Sequence, residues 1–228
     1  LGRARGFSVV TWLIIVTSLI SVSVFISGGA YCDVDGVECD VFNWFFLKPS
    51  SILQGDYLWT LISHMFVHGG FGHLFINMFV LFSLGGLCQR IIGQKRFFWF
   101  YLISGIFAGL LSVLLAGFFG VNEIGARVFG SSDIFMVGAS GAIFAIAGLY
   151  VLLLPRLKFG IIFFPFFSLP AYIMIPGVLF LMWGLSIAFN WPVGNVAHFG
   201  GFLAGIAYGY YLRRKYKRKV LMLQKMFK

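Results

Sequence analysis

Val137-Gly138-Ala139-Ser140-Gly141 sits near the start of the apolar run 135–154. Gly138, Ala139, Gly141, Ala142, Ala145, Ala147 and Gly148 crowd this run with small side chains, and Ser140 adds an aliphatic hydroxyl among them. A helix needs roughly 20 apolar residues to cross a bilayer, and small residues let helices approach closely in lipid. The serine has two readings. It can be a packing residue whose hydroxyl bonds back to its own helix. It can also be a nucleophile, with the glycines clearing space around it. The rest of the chain weighs between them.

Hydrophobic residues make up 60% of the 228 and charged residues 11%, against roughly 25% charged in soluble domains. That composition fits an all-α, polytopic membrane protein and a single domain spanning 1–228. A net charge of +10 would suggest nucleic acid in a soluble protein. Here the charges follow membrane topology, and no nucleic-acid partner is expected. Arg3 and Arg5 precede the apolar run 7–27 as in a signal peptide, but the run is long and lacks a clear cleavage site, so it reads as a retained span. The chain begins at Leu1, which leaves room for residues upstream.

Six spans are expected, over 7–27, 73–92, 97–119, 135–154, 171–189 and 196–211. The segment 159–169 is apolar too, but Pro165 and Pro170 interrupt it, and it is expected at the interface or in a packed turn. Of the 17 Lys and Arg, only Lys48 and Arg127 fall in the loops after spans one, three and five. Lys and Arg accumulate on the cytoplasmic side, so both termini are expected there. All 7 acids fall in the outer loops. The basic tail 213–228, with Val220, Leu221 and Leu223 interleaved, reads as an anchor that also attracts anionic headgroups of the lipid bilayer. The outer loop 28–72 carries Trp44, Phe45, Phe46, Tyr57 and Trp59. Aromatics of this kind favour the membrane interface, so a folded, partly embedded loop is expected. Cys32 and Cys39 lie in it, where a disulfide is chemically permitted. Spacing leaves bridged and free thiols both open.

The polar residues of the spans converge. His73 opens span two and Asn77 follows one turn later; Ser140 lies shortly inside span four and His198 shortly inside span six. These three spans all descend from the outer face. Ser140, seven positions past Asp133, would lie about 10 Å deep at 1.5 Å per residue. No Asp or Glu lies within a span, which disfavours a proton-coupled transporter. A serine with a histidine base needs no acid: the histidine takes the hydroxyl proton and nearby donors hold the oxyanion. His73 and Asn77 share a helix face and can both donate, as can backbone amides at Ser140 and Gly141. Gly201, Gly205 and Gly209 recur every four residues in span six, the spacing of closely packed membrane helices. Spacing alone is equally satisfied by plain helix packing with His198 bonded to a carbonyl. His64 and His68 could in principle hold an ion, but no third ligand is placed nearby, so neither metal nor cofactor is expected.

These residues resemble the rhomboid intramembrane serine proteases. The resemblance rests on His68-x4-His73-x3-Asn77 at span two, Gly138-Ala139-Ser140-Gly141 at span four and Ala197-His198-Phe199-Gly200-Gly201 with Gly205 at span six. It implies Ser140 as nucleophile, His198 as general base, and His73 and Asn77 as oxyanion-hole side chains. It implies His68 as a structural residue, with Gly138, Phe144 and Gly201 in support. It also implies cleavage in or near transmembrane segments of other proteins, at a site opening to the extracytoplasmic side. Two departures stand out. The family often has Trp-Arg in the first loop, where this chain has Trp59-Thr60. It often stacks a Tyr on the catalytic histidine, where this chain has Phe144. The competing reading is a non-catalytic membrane-protein binder on the same scaffold. A substrate helix must enter sideways, and span five, weakened by Pro176 and Gly177, is the expected gate; the alternative is a static helix that Pro176 merely kinks. The following loop, 190–194, is the expected lid.

Overall fold

Without water, a spanning segment must satisfy its backbone polar groups internally, and a helix does so. The computed structural model describes residues 7–27, 40–161, 164–191 and 193–227, and these are mostly helical. In chain order the helices are α1 (Val9–Ile26), α2 (Asp40–Phe45), α3 (Pro49–Gln54), α4 (Thr60–Ser63), α5 (Phe71–Ile92), α6 (Gln94–Phe119), α7 (Glu123–Phe129), α8 (Ser140–Leu153), α9 (Ala171–Phe189), α10 (Asn195–Lys215) and α11 (Lys217–Met226). A 3-10 turn, His64–Phe66, follows α4. Cys32 and Cys39 lie outside the described residues, as does Pro192 of the expected lid.

Among the described residues, α1, α5, α6 and α9 are long and apolar enough to cross a membrane. The six expected spans are therefore matched only in part by this measure. α10 has 21 residues but carries Asn195, His198, Arg213, Arg214 and Lys215. α8 has 14 residues, about 21 Å at 1.5 Å per residue. It was expected from residue 135 and begins instead at Ser140. The reason is a set of long-range bonds. Leu47 and Met136 exchange backbone hydrogen bonds at 3.0 and 2.8 Å, and the Gly138 amide donates to the His64 carbonyl at 2.8 Å. Gly138 adopts φ +116°, which favours glycine and ends any helical path. The estimate of depth by helical rise from Asp133 therefore does not apply.

The described residues are mostly helical, as expected, with one exception that the sequence reading did not include. β1 (Lys158–Ile161) and β2 (Phe164–Pro170) pair antiparallel, with Lys158 opposite Pro170, Gly160 opposite Ser168 and a bulge after Gly160. Proline cannot donate within a helix, and strand pairing satisfies the neighbouring groups instead. Between α1 and α5, the described residues fold into α2, α3 and α4. Trp59 Nε1 donates to the Trp44 carbonyl at 2.9 Å, and Leu47 is fully buried.

α8 is the hub, packed against α5, α6, α9 and α10. Its contact with α10 is backbone on backbone. A Cβ at Gly201 would overlap the Gly141 carbonyl, one at Gly205 the Ala145 carbonyl, and one at Gly148 the Phe202 carbonyl. Three glycines thus remove the side chains that would hold these axes apart. α9, which contains Pro176, is the least covered of the four long apolar helices.

Candidate active site

The short distance between α8 and α10 fixes two side chains. Ser140 is the first residue of α8. His198 sits in the first turn of α10, its amide bonded to the Gly194 carbonyl at 3.0 Å. His198 Nε2 lies 2.8 Å from Ser140 Oγ. One turn along α8, the Phe144 ring stacks on the His198 ring, with centroids 4.6 Å apart and planes at 27°. Such a stack fixes ring orientation without touching either ring nitrogen. Ser140 is half-buried and His198 is 7% exposed.

Helix starts leave amides without intrahelical acceptors. The amides of Ser140 and Gly141 occupy that position in α8, and no side chain caps it. The two residues before are held differently. Gly138 is bonded to the His64 carbonyl, as above, and the Ala139 amide donates to His68 Nε2 at 3.4 Å. His68 Nδ1 lies 3.1 Å from Ser21 Oγ on α1, and that hydroxyl donates to the Phe66 carbonyl at 3.1 Å. The network assigns the His68 proton to Nδ1. His68 thus ties α1 to the residue preceding Ser140. Ser21 was not singled out in the sequence. Thr17 and Ser21 lie one turn apart on α1, which also carries Thr11, Ser18 and Ser23, and both are fully buried; polarity alone did not single them out.

His73 stands on the other side of the same backbone. A Cβ at Gly138 would come within 2.9 Å of His73 Cε1, so only glycine lets this ring approach. The Gly69 amide donates to His73 Nδ1 at 3.4 Å, which leaves Nε2 as the protonated, donating nitrogen. Asn77 is buried and its Nδ2 donates to the His73 carbonyl at 2.9 Å. The structure therefore brings Ser140, His198 and Phe144 into direct contact. It sets His68 and His73 against the segment before the serine and sets Gly201 against Gly141. Asn77 joins this group through His73.

Two histidines between α4 and α5 make the local fold sensitive to acid. Burial lowers His64 from 6.5 to about 4, opposed by its 2.7 Å contact with the Thr60 carbonyl. Burial lowers His68 to about 3, with a smaller push from His73. Both rings are neutral when folded, whereas the unfolded chain protonates each below about pH 6.5. Stability is thus fully present above about pH 6.5 and declines as pH falls toward 4, by up to about 1.4 kcal/mol per pH unit for each ring. Thermal melting of the detergent-solubilised protein should shift steadily downward across that window. A melting temperature unchanged from pH 7 to 4.5 would contradict neutral burial of these rings.

The Rhomboid domain profile matches residues 55–215, a stretch that holds all the site residues named above except Ser21. The chain is 29% identical over 187 residues to "Rhomboid protein 1, mitochondrial" of Saccharomyces cerevisiae, covering 77% of this chain and 49% of that protein. It is 34% identical over 154 residues to "RHOMBOID-like protein 5" of Arabidopsis thaliana, covering 68% and 44%. It is 28% identical over 197 residues to "Presenilin-associated rhomboid-like protein, mitochondrial" of Bos taurus, covering 85% and 47%. The chain thus spans somewhat under half the length of each of these relatives.

Proposed function

The chain belongs to the rhomboid family, and from that premise we propose that it is an intramembrane serine endopeptidase, acting through a Ser140–His198 dyad on transmembrane segments of other membrane proteins. The observation that carries this reading is the 2.8 Å approach of His198 Nε2 to Ser140 Oγ beneath the Phe144 ring. A serine that merely packed would bond back to its own helix. Ser140 begins α8, so no preceding helical carbonyl is available to it.

In the proposed reaction, His198 carries its proton on Nδ1 and accepts the Ser140 hydroxyl proton at Nε2. Oγ attacks the scissile carbonyl carbon, and the carbonyl electron pair moves onto oxygen. His73 Nε2–H, an Asn77 amide hydrogen and the amides of Ser140 and Gly141 are the donors for that oxyanion. Collapse breaks the C–N bond, and the imidazolium passes its proton to the leaving amine. Water then attacks the acyl-enzyme with His198 again as base, which regenerates Ser140.

In the same reading, α8 and α10 complete six crossings of one domain, 1–228, with both termini cytoplasmic. Supporting this, Arg90, Lys95, Arg96, Arg156, Lys158 and the 213–228 tail accumulate at one end of the spans. α8 spans about 21 Å, less than a hydrocarbon core of about 30 Å, so Ser140 would stand below the outer surface. The extended residues before it are tolerable at that depth because Leu47, His64 and His68 satisfy their backbone groups. Sparse cover on α9 and its Pro176 support this helix as the side through which a substrate enters.

The reading is tested by reconstituting the protein with a panel of single-pass membrane proteins. A cut in or near the transmembrane segment, unaffected by EDTA, is expected. Cleavage lost on chelation and restored by zinc would overturn it. In the same assay, His73→Ala should lower kcat by about 100- to 1000-fold with little change in KM, the range for losing one oxyanion donor. Asn77→Ala should act in the same way, through loss of the amide hydrogen that is not engaged by the His73 carbonyl. Raised KM at normal kcat would remove both from the oxyanion hole.

A further inference from the structure

A cavity of about 640 Å³ lies away from the dyad, in a groove between α6 and α10. The groove follows from side-chain size. At its outer end the helices touch, because a Cβ at Gly200 would meet Leu111 and Ala108 of α6. Farther along α10, Ala204 and Ala207 are too short to fill the space beside α6. Its floor includes Phe100 stacked on Tyr208, ring centroids 4.8 Å apart. On its rim Trp99 is 53% and Phe107 44% exposed. The wall is apolar apart from Ser104, whose hydroxyl donates to the Phe100 carbonyl, and one end where Lys95 and Arg96 stand exposed.

We propose that this groove binds one anionic phospholipid, an acyl chain lying along α6 and α10 and the headgroup phosphate between Lys95 and Arg96. The proposal goes beyond the peptidase reading and rests on α6 and α10 both crossing the bilayer. Length supports it. Lys95 to Phe107 spans about 18 Å of helix, close to one leaflet of a hydrocarbon core about 30 Å thick. Charge selects the headgroup. The chain has no Asp or Glu between Asp56 and Glu123 and none beyond Asp133, so it offers these cations no carboxylate at their end of the bundle. Arg96 instead lies over the Tyr216 ring at 5.7 Å, beside Lys215 and Lys219 at 5.9 Å from the same ring. A second copy of this chain would bring the same positive end to the groove and be repelled. An anionic headgroup neutralises it.

Trp99 on the rim reports occupancy. Vesicles of phosphatidylcholine are doped with phosphatidylglycerol or phosphatidylcholine brominated on the acyl chains, and Trp99 quenching is isolated by difference from Trp99→Phe. In the wild-type protein, half-maximal quenching should need about tenfold less brominated phosphatidylglycerol than brominated phosphatidylcholine, the effect of basic residues beside an anionic headgroup. Lys95→Gln/Arg96→Gln should erase that preference, and Ala207→Phe should reduce quenching by both lipids. Equal quenching by the two lipids in the wild-type protein overturns the proposal. So does a preference that survives the double substitution. Shielding of Trp99 from both lipids that grows with protein-to-lipid ratio also overturns it and assigns the groove to a second copy. None of these readouts depends on cleavage.

Discussion

Alanine at Ser140 or at His198 is expected to lower cleavage of a transmembrane substrate by about four to six orders of magnitude, and alanine at both should cost little more than either alone. Groups that act as one unit behave this way, because removing either disables the same step. Here the unit is the 2.8 Å pair of Nε2 and Oγ. The two substitutions should differ in stability. Ser140→Ala deletes one half-buried hydroxyl at a helix start and should leave the melting temperature unchanged. His198→Ala also removes the ring stacked on Phe144, a contact of about 0.5–1.5 kcal/mol, so its melting temperature should fall slightly. Cleavage by purified Ser140→Ala protein at the wild-type rate would dismiss the nucleophile. Additive losses in the double variant would dismiss the dyad.

Gly201→Val should be nearly as damaging, although Gly201 takes no part in the chemistry. Any side chain there overlaps the Gly141 carbonyl, which is backbone and cannot swing aside. α8 and α10 must then separate. His198 is one turn from Gly201 on the same helix, and Gly141 directly follows Ser140, so the separation is felt at the dyad. A displacement of about 1 Å can cost 100-fold in rate, and overpacking of this kind destabilises by about 1–3 kcal/mol or more. Cleavage should therefore fall at least 100-fold, together with a lower melting temperature. Gly184→Ala on α9 is the control, since a Cβ there meets nothing within 4 Å. It should keep activity and, by helix propensity, gain a little stability. Full activity in Gly201→Val would mean that the glycine contact does not set the dyad distance.

The long apolar runs, the serine, the histidines and the glycine spacing were all legible in the sequence, because each expresses a local requirement of lipid or of close packing. What escaped was decided at long range. The residues 135–139 are apolar and read as helix; Leu47 and the His64 carbonyl, far back in the chain, draw them into an extended segment instead. That shift makes Ser140 the first residue of its helix rather than an interior one, and so gives it and Gly141 amides without helical acceptors. Pro165 and Pro170 signalled a break in helix but not the strand pairing around them. The link from His68 to Ser21 crosses 47 positions, and neither residue alone announces its partner. The matched profile begins at residue 55, so it too says nothing of Ser21.

The most direct test of the central claim is covalent. The reconstituted protein is treated with a fluorophosphonate and the adduct is mapped by peptide mass. The dyad predicts a single modified residue, Ser140, with labelling abolished in Ser140→Ala and reduced at least 100-fold in His198→Ala. An adduct mapped to another serine, or Ser140 labelling that is unchanged in His198→Ala, would contradict it.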